Sequence, residues 1–285
     1  MKIAVLLTTF NRRDKTILCL ESLKNQILID ESELEIFLTD DGSSDNTVID
    51  ALKIFPKANI FKGNGQLFWA GGMRKSWSEA IKHNFDFFFL VNDDTFLFES
   101  ALSTMINCYH NLKNKLEINS IIVGSTRELN GTQISYGGKR LTSKFSIKYE
   151  KVFNETETLE CDLGNANIML VPNEVVMKIG ILSKAYTHGI ADYDYTLRAK
   201  RNKFKVYVAP GVLGSCNDDH GNSWKPQNTT LTERIKFLKS PKGLAYKEYL
   251  YFTWTFFPAS FPFAFAKLWL KTLFPIVWDK FKSTN

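Results

Sequence analysis

An almost wholly apolar run, FFFLVNDDTFLF (Phe87 to Phe98), carries two acids and an amide at its centre. Burying the unpaired carboxylates of Asp93 and Asp94 would cost too much free energy, so they must lie at a surface, be paired, or bind a cation. Oxygen ligands of this kind, with Asn92 beside them, suit Mg²⁺ or Mn²⁺. A solvated turn in which Asp94 caps the next helix is the competing interpretation.

Such residues need a scaffold that brings the ends of several strands together. Over the first hundred residues, short apolar runs alternate with amphipathic stretches, which is typical of βαβ units around a largely parallel sheet. The apolar runs predict four strands: Ile3 to Thr8, Glu35 to Thr39, Ala58 to Phe61 and Phe85 to Val91. Ligands of open α/β sheets bind where loops leave the carboxyl ends of the strands. The polar residues that follow these strands are therefore expected to converge on one rim.

The second half of the chain is less regular. Two further strands are predicted at 120–124 and 167–171, with a hairpin or insertion between them. The stretch DYDYTLRAKRN predicts a helix from about Asp192 to Asn202, followed by a strand that ends at Pro210. One α/β domain is thus predicted to end near residue 230.

Two loops of the first half carry polar or glycine-rich sequences. In DDGSSDNT, Gly42 permits a tight turn, and the carboxylates before it, Asp40 and Asp41, could accept hydrogen bonds from the edge of a base. The second loop, GNGQLFWAGGMR, lacks the spacing of the known phosphate-binding motifs. Its glycines allow close backbone approach to a ligand, and the following helix N-terminus favours an anion. A merely mobile loop would have the same composition.

The excess positive charge lies in the C-terminal part of the chain. Residues 1–232 hold 27 basic and 27 acidic side chains, whereas residues 233–285 hold 9 and 3. The basic residues alternate with aromatic ones, and an 18-residue uncharged stretch beginning at Tyr249 contains two prolines. It is marginal for spanning a bilayer, and the composition favours a segment lying on an anionic membrane surface. A helical hairpin that packs on the domain or on a second subunit is the alternative.

The cysteines and the N-terminus indicate a cytoplasmic protein. Cys19, Cys108, Cys161 and Cys216 show no metal-binding spacing and are expected to be reduced core thiols. The first apolar run is too short for a signal peptide, so a buried strand is expected there. No nucleic-acid partner is expected.

The order of the motifs resembles that of the family 2 glycosyltransferases, which have the GT-A fold. The resemblance rests on LLTTFNR, TDDGSSDNT, the NDD after an apolar strand, and LGNANIMLVPNEVVMKIG followed by ADYDYTLRAKRNKFKVYVAPGVLG. NDDT and FWAGGM look most like the bacterial rhamnosyltransferase-like branch. The resemblance implies a Rossmann-like, mostly parallel sheet flanked by helices. It places a nucleotide-sugar half at about 1–125, an acceptor half at about 126–230, and a basic, aromatic helical tail at 231–285.

The resemblance also implies roles for individual residues of the first half. The nucleotide would be bound by six residues: Thr8, Thr9, Arg12, Asp40, Asn92 and Asp93. The donor phosphates and sugar would lie along four more: Gly65, Gly71, Gly72 and Arg74. Asn92 departs from the family pattern, which has an acid at the first position of its DxD motif. Asp94, at the last position, would be the principal ligand of Mn²⁺ or Mg²⁺.

The late part of the chain would supply the base and complete the metal site. Asp192 matches the family's catalytic aspartate, although Ala191 stands where an acid usually precedes it. His220 matches the histidine that completes the metal site. His188 and Asp194 are candidate acceptor contacts, and a structural role of Asp194 at the start of its helix is the alternative.

The function implied is that of an inverting, metal-dependent glycosyltransferase. It would move a sugar from a UDP- or dTDP-linked donor, with dTDP-rhamnose as one candidate, to a hydroxyl of a growing bacterial surface glycan such as O-antigen or capsule. A lipid-linked acceptor would place the protein on the inner face of the cell membrane, bound through the tail, and a homo-oligomer is compatible with the sequence. The alternative is a non-catalytic member that binds nucleotide-sugar or glycan as an assembly partner.

Overall fold

The computed structural model describes residues 1–29, 32–217 and 229–276. Its strands are, in chain order, β1 (Lys2–Thr9), β2 (Glu33–Asp40), β3 (Asn59–Lys62), β4 (Phe87–Val91), β5 (Phe96–Leu97), β6 (Ser120–Arg127), β7 (Ile134–Tyr136), β8 (Gly138–Leu141), β9 (Tyr149–Val152), β10 (Leu159–Cys161), β11 (Leu163–Gly164), β12 (Ile168–Pro172) and β13 (Lys205–Ser215). Its helices are α1 (Arg13–Lys24), α2 (Thr47–Ile54), α3 (Phe68–Ala80), α4 (Ala101–Leu116), α5 (Asn173–Ile179), α6 (Ala191–Arg201), α7 (Leu231–Lys239), α8 (Tyr246–Phe256) and α9 (Phe261–Leu273).

A mostly parallel central sheet organises the molecule, as the sequence predicts. Its strand order is β10-β13-β6-β12-β4-β1-β2-β3, with β5 paired to β13 and β7 to β6. The pairs β4–β1, β1–β2, β2–β3 and β6–β13 are parallel, whereas β12 runs antiparallel between β4 and β6. Each predicted strand of the first half is present, and its carboxyl end reaches the same edge.

The apolar run of β4 is buried on both of its faces. Phe88 and Leu90 belong to one hydrophobic cluster, and Phe87, Phe89 and Val91 belong to a second cluster across the sheet. Side chains alternate between the faces of a strand, so a strand covered by helices on both sides must be apolar throughout. Helices α3 and α6 cover the first face, and α1 and α4 cover the second. This explains why the polar residues begin where β4 ends.

The region predicted as a hairpin or insertion forms a separate three-stranded sheet, with the order β11-β8-β9. Its strands pair antiparallel, and Lys139 of β8 lies opposite Leu163 of β11. The glycine-rich stretch that was predicted as a loop is helical from Phe68 onward, because α3 begins there. The predicted late helix is α6, which begins at Ala191.

The C-terminal helices pack against the domain on one side and expose apolar residues on the other. Phe252 and Phe257 of the tail are buried in the same cluster as Trp77 of α3. Trp254 is 61% exposed and Phe263 is 71% exposed. In the ranges that the structure describes, none of the helices has the length and apolar character needed to cross a membrane.

Gly72 should be intolerant of a side chain because α3 crosses β1 closely at this residue. A Cβ atom there would lie 2.7 Å from the Cβ of Thr8. We expect Gly72→Ala to lower the free energy of unfolding by about 1–3 kcal/mol in thermal denaturation, since overpacking forces neighbours out of position. Gly189→Ala is the matched control, because its Cβ would meet no atom within 4 Å. Equal stability of the two variants would contradict the close approach.

Candidate active site

A cleft of about 770 Å³ lies at the carboxyl edge of the central sheet. It is lined by residues from both halves of the sequence and from the tail: Thr8, Thr9, Phe10, Arg12, Asp41, Gly65, Phe68, Trp69, Asn92, Asp93, Asp94, Tyr136, Asn165, Ala166, Asn167, His188, Gly189, Ile190, Asp192, Tyr193, Cys216, Asn217 and Lys242. The predicted convergence of the strand ends on one rim is therefore present.

Arg12 pairs with both adjacent carboxylates at the end of β4. Its Nη1 lies 3.1 Å from Asp93 Oδ1, and its Nη2 lies 2.5 Å from Asp94 Oδ2. Burial raises the pKa of Asp93 to about 6, an effect that Arg12 opposes and the Asp94 charge reinforces. The guanidinium thus supplies the charge compensation that the apolar surroundings require.

The side chain of Asn92 is already engaged by a tryptophan. Trp69 Nε1 donates a hydrogen bond to Asn92 Oδ1 at 2.7 Å. The Asn92 amide oxygen, which would face a cation, therefore orients the indole ring of Trp69 in the cleft. An aspartate would accept the same bond, so the asparagine changes the charge of the site rather than this contact.

Asp41 fixes the conformation of the glycine-rich loop. Its Oδ1 accepts backbone N–H bonds from Asn64 at 3.1 Å and Gly65 at 2.8 Å, and its Oδ2 accepts from Leu67 at 2.8 Å and Phe68 at 3.2 Å. Phe68 has a φ of 52°, a left-handed conformation that is unfavourable for a residue with a side chain. A single buried carboxylate thus holds a strained turn at the entrance of α3.

Asp192 lies in the first turn of α6 and faces the cleft. Its Oδ1 accepts from the Tyr193 N–H at 2.9 Å, and its Oδ2 accepts from the Ala166 N–H and Asn165 Nδ2, both at 3.3 Å. Burial raises the pKa of Asp192, whereas these donors and the charge of Lys139 lower it. A carboxylate with a raised pKa and an open side toward a cleft can accept a proton from a bound hydroxyl.

Two of the predicted site residues have other partners in the fold. Arg74 donates from Nη1 to the backbone oxygens of Ser183 at 2.8 Å and Tyr186 at 2.6 Å, and it is not among the residues that line the cleft. Asp194 is 2% exposed and binds Tyr186 and Arg198, contacts that favour its alternative structural role over an acceptor contact.

Other predicted residues lie close to the cleft without lining it. Gly71 and Gly72 are buried inside α3. Of the three glycines that the sequence predicts for the donor loop, only Gly65 lines the cleft. The carboxylate of Asp40 accepts hydrogen bonds from the Ser43 N–H at 3.2 Å, which closes its own turn. Its contact with a base stays a prediction.

Of the two predicted metal ligands, Asp94 belongs to the described residues. His220 lies outside the described residues, and within those residues no three His, Cys, Asp or Glu side chains form a metal-binding group. The Asp93 Oδ2 atom is buried and accepts no hydrogen bond in the described chain. The residues Asp93 and Asp94 line the cleft, and carboxylate oxygens are the hard donors that fit Mg²⁺ or Mn²⁺.

Several lining residues were not identified from the sequence. Trp69, Tyr136, Asn165 and Tyr193 belong to segments whose polar or aromatic residues had no motif to single them out. Lys242 comes from the turn between α7 and α8, and its Nζ lies 5.9 Å from the ring centroid of Phe68. Only the folding of the tail over the cleft brings Lys242 there.

The sequence profile described as Glycosyl transferase family 2 matches residues 4–160, more than half of the chain. The chain is a family 2 glycosyltransferase. No curated protein sequence matches it significantly.

Solved structures share the fold of this glycosyltransferase. The mannosyltransferase PcManGT from Pyrobaculum calidifontis, in complex with GDP-Man and Mn²⁺, is 11% identical with a TM-score of 0.56, covering 94% of this chain and 69% of that one. S. aureus TarS residues 1–349, in complex with UDP-GlcNAc, is 15% identical with a TM-score of 0.54, covering 90% and 73%. The match to a longer S. aureus TarS structure covers 96% of this chain and 48% of that one, at 15% identity and a TM-score of 0.55.

Asp41→Asn should loosen the loop that lines the cleft. The amide has a single acceptor oxygen, so some of the backbone N–H groups of the loop lose their hydrogen-bond acceptor. We expect about 1–3 kcal/mol lower stability, measured by thermal unfolding, and faster amide exchange at residues 64–68. Asp14→Asn is the control, since Asp14 is exposed on α1. Unchanged exchange at the loop would contradict the anchoring role.

Proposed function

We propose that this protein is an inverting glycosyltransferase that moves a sugar from a nucleoside-diphosphate sugar to an acceptor hydroxyl. The observation that carries the proposal is that one cleft is lined both by the ion-paired group Arg12, Asp93 and Asp94 and by Asp192. A donor would bind over the ends of β1, β2 and β4, and an acceptor would enter beside α6. UDP- and dTDP-linked sugars, including dTDP-rhamnose, are the candidate donors.

Asp192 would act as the general base. In inversion, the acceptor hydroxyl attacks the anomeric carbon as the bond to the diphosphate breaks, and the hydroxyl proton passes to the carboxylate. The hydrogen bonds from Tyr193, Ala166 and Asn165 hold that carboxylate in place. Holding the base before the reaction reduces the entropy that the transition state must lose.

Arg12 and the carboxylates beside it would form the diphosphate end of the site. Asp94, with Asp93, would hold Mn²⁺ or Mg²⁺, and the cation would supply charge that stabilises the departing diphosphate. Thr8 and Thr9 line the same cleft as Arg12 and would contact the nucleotide. His188 also lines the cleft and is the candidate for an acceptor contact.

The acceptor that we favour is lipid-linked, as in the assembly of a bacterial surface glycan such as O-antigen or capsule. The exposed aromatic side of α8 and α9 and the positive charge of the tail suit the surface of an anionic membrane. Lys242 connects this tail to the cleft, since it lies on the turn before α8 and lines the site. Binding at the inner face of the cell membrane would bring the acceptor to Asp192.

A non-catalytic, glycan-binding role is the second candidate. Asn92 and Ala191 occupy positions where the family usually has acids, and these two residues favour this alternative. The alternative predicts nucleotide-sugar binding without turnover.

Asp192→Asn should abolish turnover and leave donor binding intact. We expect about a 10²- to 10⁴-fold loss of transfer or donor hydrolysis, because the amide cannot accept the proton. Binding of UDP-, dTDP- and GDP-sugars, measured by calorimetry with Mn²⁺ present, should not change for the variant. In the native enzyme, activity should fall as the pH drops through the raised pKa of Asp192, since only the ionised carboxylate is a base. Full activity of the variant would overturn the proposed role.

The exposed side of the tail should bind anionic vesicles. We expect Trp254→Ser combined with Phe263→Ser to weaken co-sedimentation with phosphatidylglycerol vesicles by about tenfold or more, because both side chains lose their burial in the lipid interface. Met177→Ser is the control, since Met177 is 79% exposed on α5. Phe252 is unsuitable for this test because it belongs to the core. Absence of vesicle binding by the native protein would overturn the membrane proposal.

A further inference from the structure

A continuous series of polar contacts joins Asp192 to a lysine on the small sheet. Asn165 Nδ2 lies 3.3 Å from Asp192 Oδ2 and 3.4 Å from the hydroxyl oxygen of Tyr193. The same hydroxyl oxygen accepts a hydrogen bond from Lys139 Nζ. A cationic side chain outside the cleft is thereby connected to the carboxylate inside it through one hydroxyl and one amide.

The fold fixes both ends of this series. Lys139 of β8 lies directly opposite Leu163 of β11, and its carbonyl accepts the Asp162 N–H at 2.8 Å. Two residues after Leu163, the Asn165 N–H donates to the Gly137 carbonyl at 3.1 Å. The small sheet and the segment that carries Asn165 are thus joined by backbone hydrogen bonds at Lys139 and at Gly137, which limits how far the lysine can move relative to the base.

Aromatic rings hold the ammonium of Lys139 in place. Its Nζ lies 4.6 Å from the ring centroid of Tyr149 and 4.8 Å from that of Tyr193. A cation at these distances is attracted by the electron density of both rings.

The titratable groups around Asp192 come from several elements. On its own helix, Tyr193 contacts it, and Asp194 turns away toward Tyr186 and Arg198. Of the groups on other elements, Lys139 of β8 acts on Asp192 itself, whereas Tyr149 of β9 and Tyr136 of β7 lie near Tyr193. His188 of the preceding loop lines the same cleft. Burial raises the pKa of Tyr193 far above its ordinary value, so its hydroxyl stays neutral. This neutral hydroxyl contacts both Lys139 and Asn165.

We propose that Lys139 is a positioning residue for the base: acting through the Tyr193 hydroxyl and the Asn165 amide, its ammonium keeps the Asp192 carboxylate ionised and fixed in the cleft. This inference rests on the proposed function, because it assigns a task to the carboxylate that would receive the acceptor proton. A positive charge favours the ionised form of a neighbouring acid and so opposes the effect of burial. Without the ammonium, the pKa of Asp192 would rise further.

The test is the pH dependence of donor hydrolysis, in which water replaces the acceptor. We would assay the native enzyme with UDP-GlcNAc, GDP-mannose and dTDP-rhamnose and follow the donor that it hydrolyses best. Lys139→Met should shift the acid limb of kcat/KM to higher pH and lower the rate at mildly acidic pH by about three- to tenfold, with a smaller change on the alkaline plateau. Lys139→Arg should keep the native profile.

Two further variants separate this role from a merely structural one. Arg140→Met removes the charge of the next residue on β8, whose exposed side chain pairs with Glu150, and should leave the profile unchanged. Tyr193→Phe keeps the ring and loses only the hydroxyl, so it should shift the acid limb in the same direction even if Lys139→Met folds poorly. The double variant should show less than the sum of the two effects, because the residues act in series.

The outcomes distinguish the inference from the proposed function. If the native enzyme hydrolyses a donor and Asp192→Asn abolishes this, but Lys139→Met and Tyr193→Phe keep the native acid limb, the role of Lys139 is wrong and the function stands. A shift of equal size in Arg140→Met would also overturn the role. If the native enzyme hydrolyses none of the donors with Mn²⁺ present, the proposed function and the inference both fail.

Discussion

Asp93 and Asp94 leave the end of β4 as adjacent carboxylates next to an apolar core, and the guanidinium of Arg12 contacts both of them. Two like charges in such a place are tolerated only with a compensating cation nearby. Arg12 lies between β1 and α1, so this contact ties the first strand to the central one at their shared edge. The cleft, the position of α1 and the charge of the diphosphate end all depend on this compensation.

A second buried carboxylate organises the neighbouring loop by hydrogen bonding. Asp41 receives N–H groups from both sides of the turn that leads into α3, and the turn includes the strained residue Phe68. Strain of this kind persists where the surroundings hold it, and it is frequent at functional sites. The ring of Phe68 in turn lies 6.2 Å from that of His188 and 5.9 Å from Lys242 Nζ. Charge pairing and backbone anchoring therefore shape adjacent walls of one cleft.

The side of the cleft that we propose for the acceptor is built from parts that are distant in the chain. The small sheet formed by β8, β9 and β11 supplies Lys139 and Tyr149, the start of α6 supplies Asp192 and Tyr193, and the turn before α8 supplies Lys242. These elements do not belong to the parallel arrangement that binds nucleotides in open α/β sheets. They are the features that would distinguish the acceptor of this glycosyltransferase from those of enzymes sharing its donor half.

The sequence by itself determined most strands of the central sheet and the polar residues at the ends of the first four. Apolar runs that alternate with amphipathic stretches predict strands and helices, because the spacing of apolar residues depends on local backbone geometry. The order of the motifs along the chain predicted the family, and the profile match confirms it. The order of the motifs also predicted one site that contains Arg12, Asn92, Asp93, Asp94 and Asp192, and these residues line one cleft in the structure. A strand that is buried on both faces must be apolar along its length, so polar residues can follow only where the strand ends.

Only the tertiary structure decided which polar groups are available to a ligand. Arg74 and Asp194 match their motifs as well as Asp192 does, yet they are engaged by backbone carbonyls and by Arg198. Asn165 and Lys139 have no motif, yet they reach Asp192 through contacts between distant segments. Hydrogen-bond partners depend on distances across the fold, and residue type and spacing along the chain carry no information about those distances.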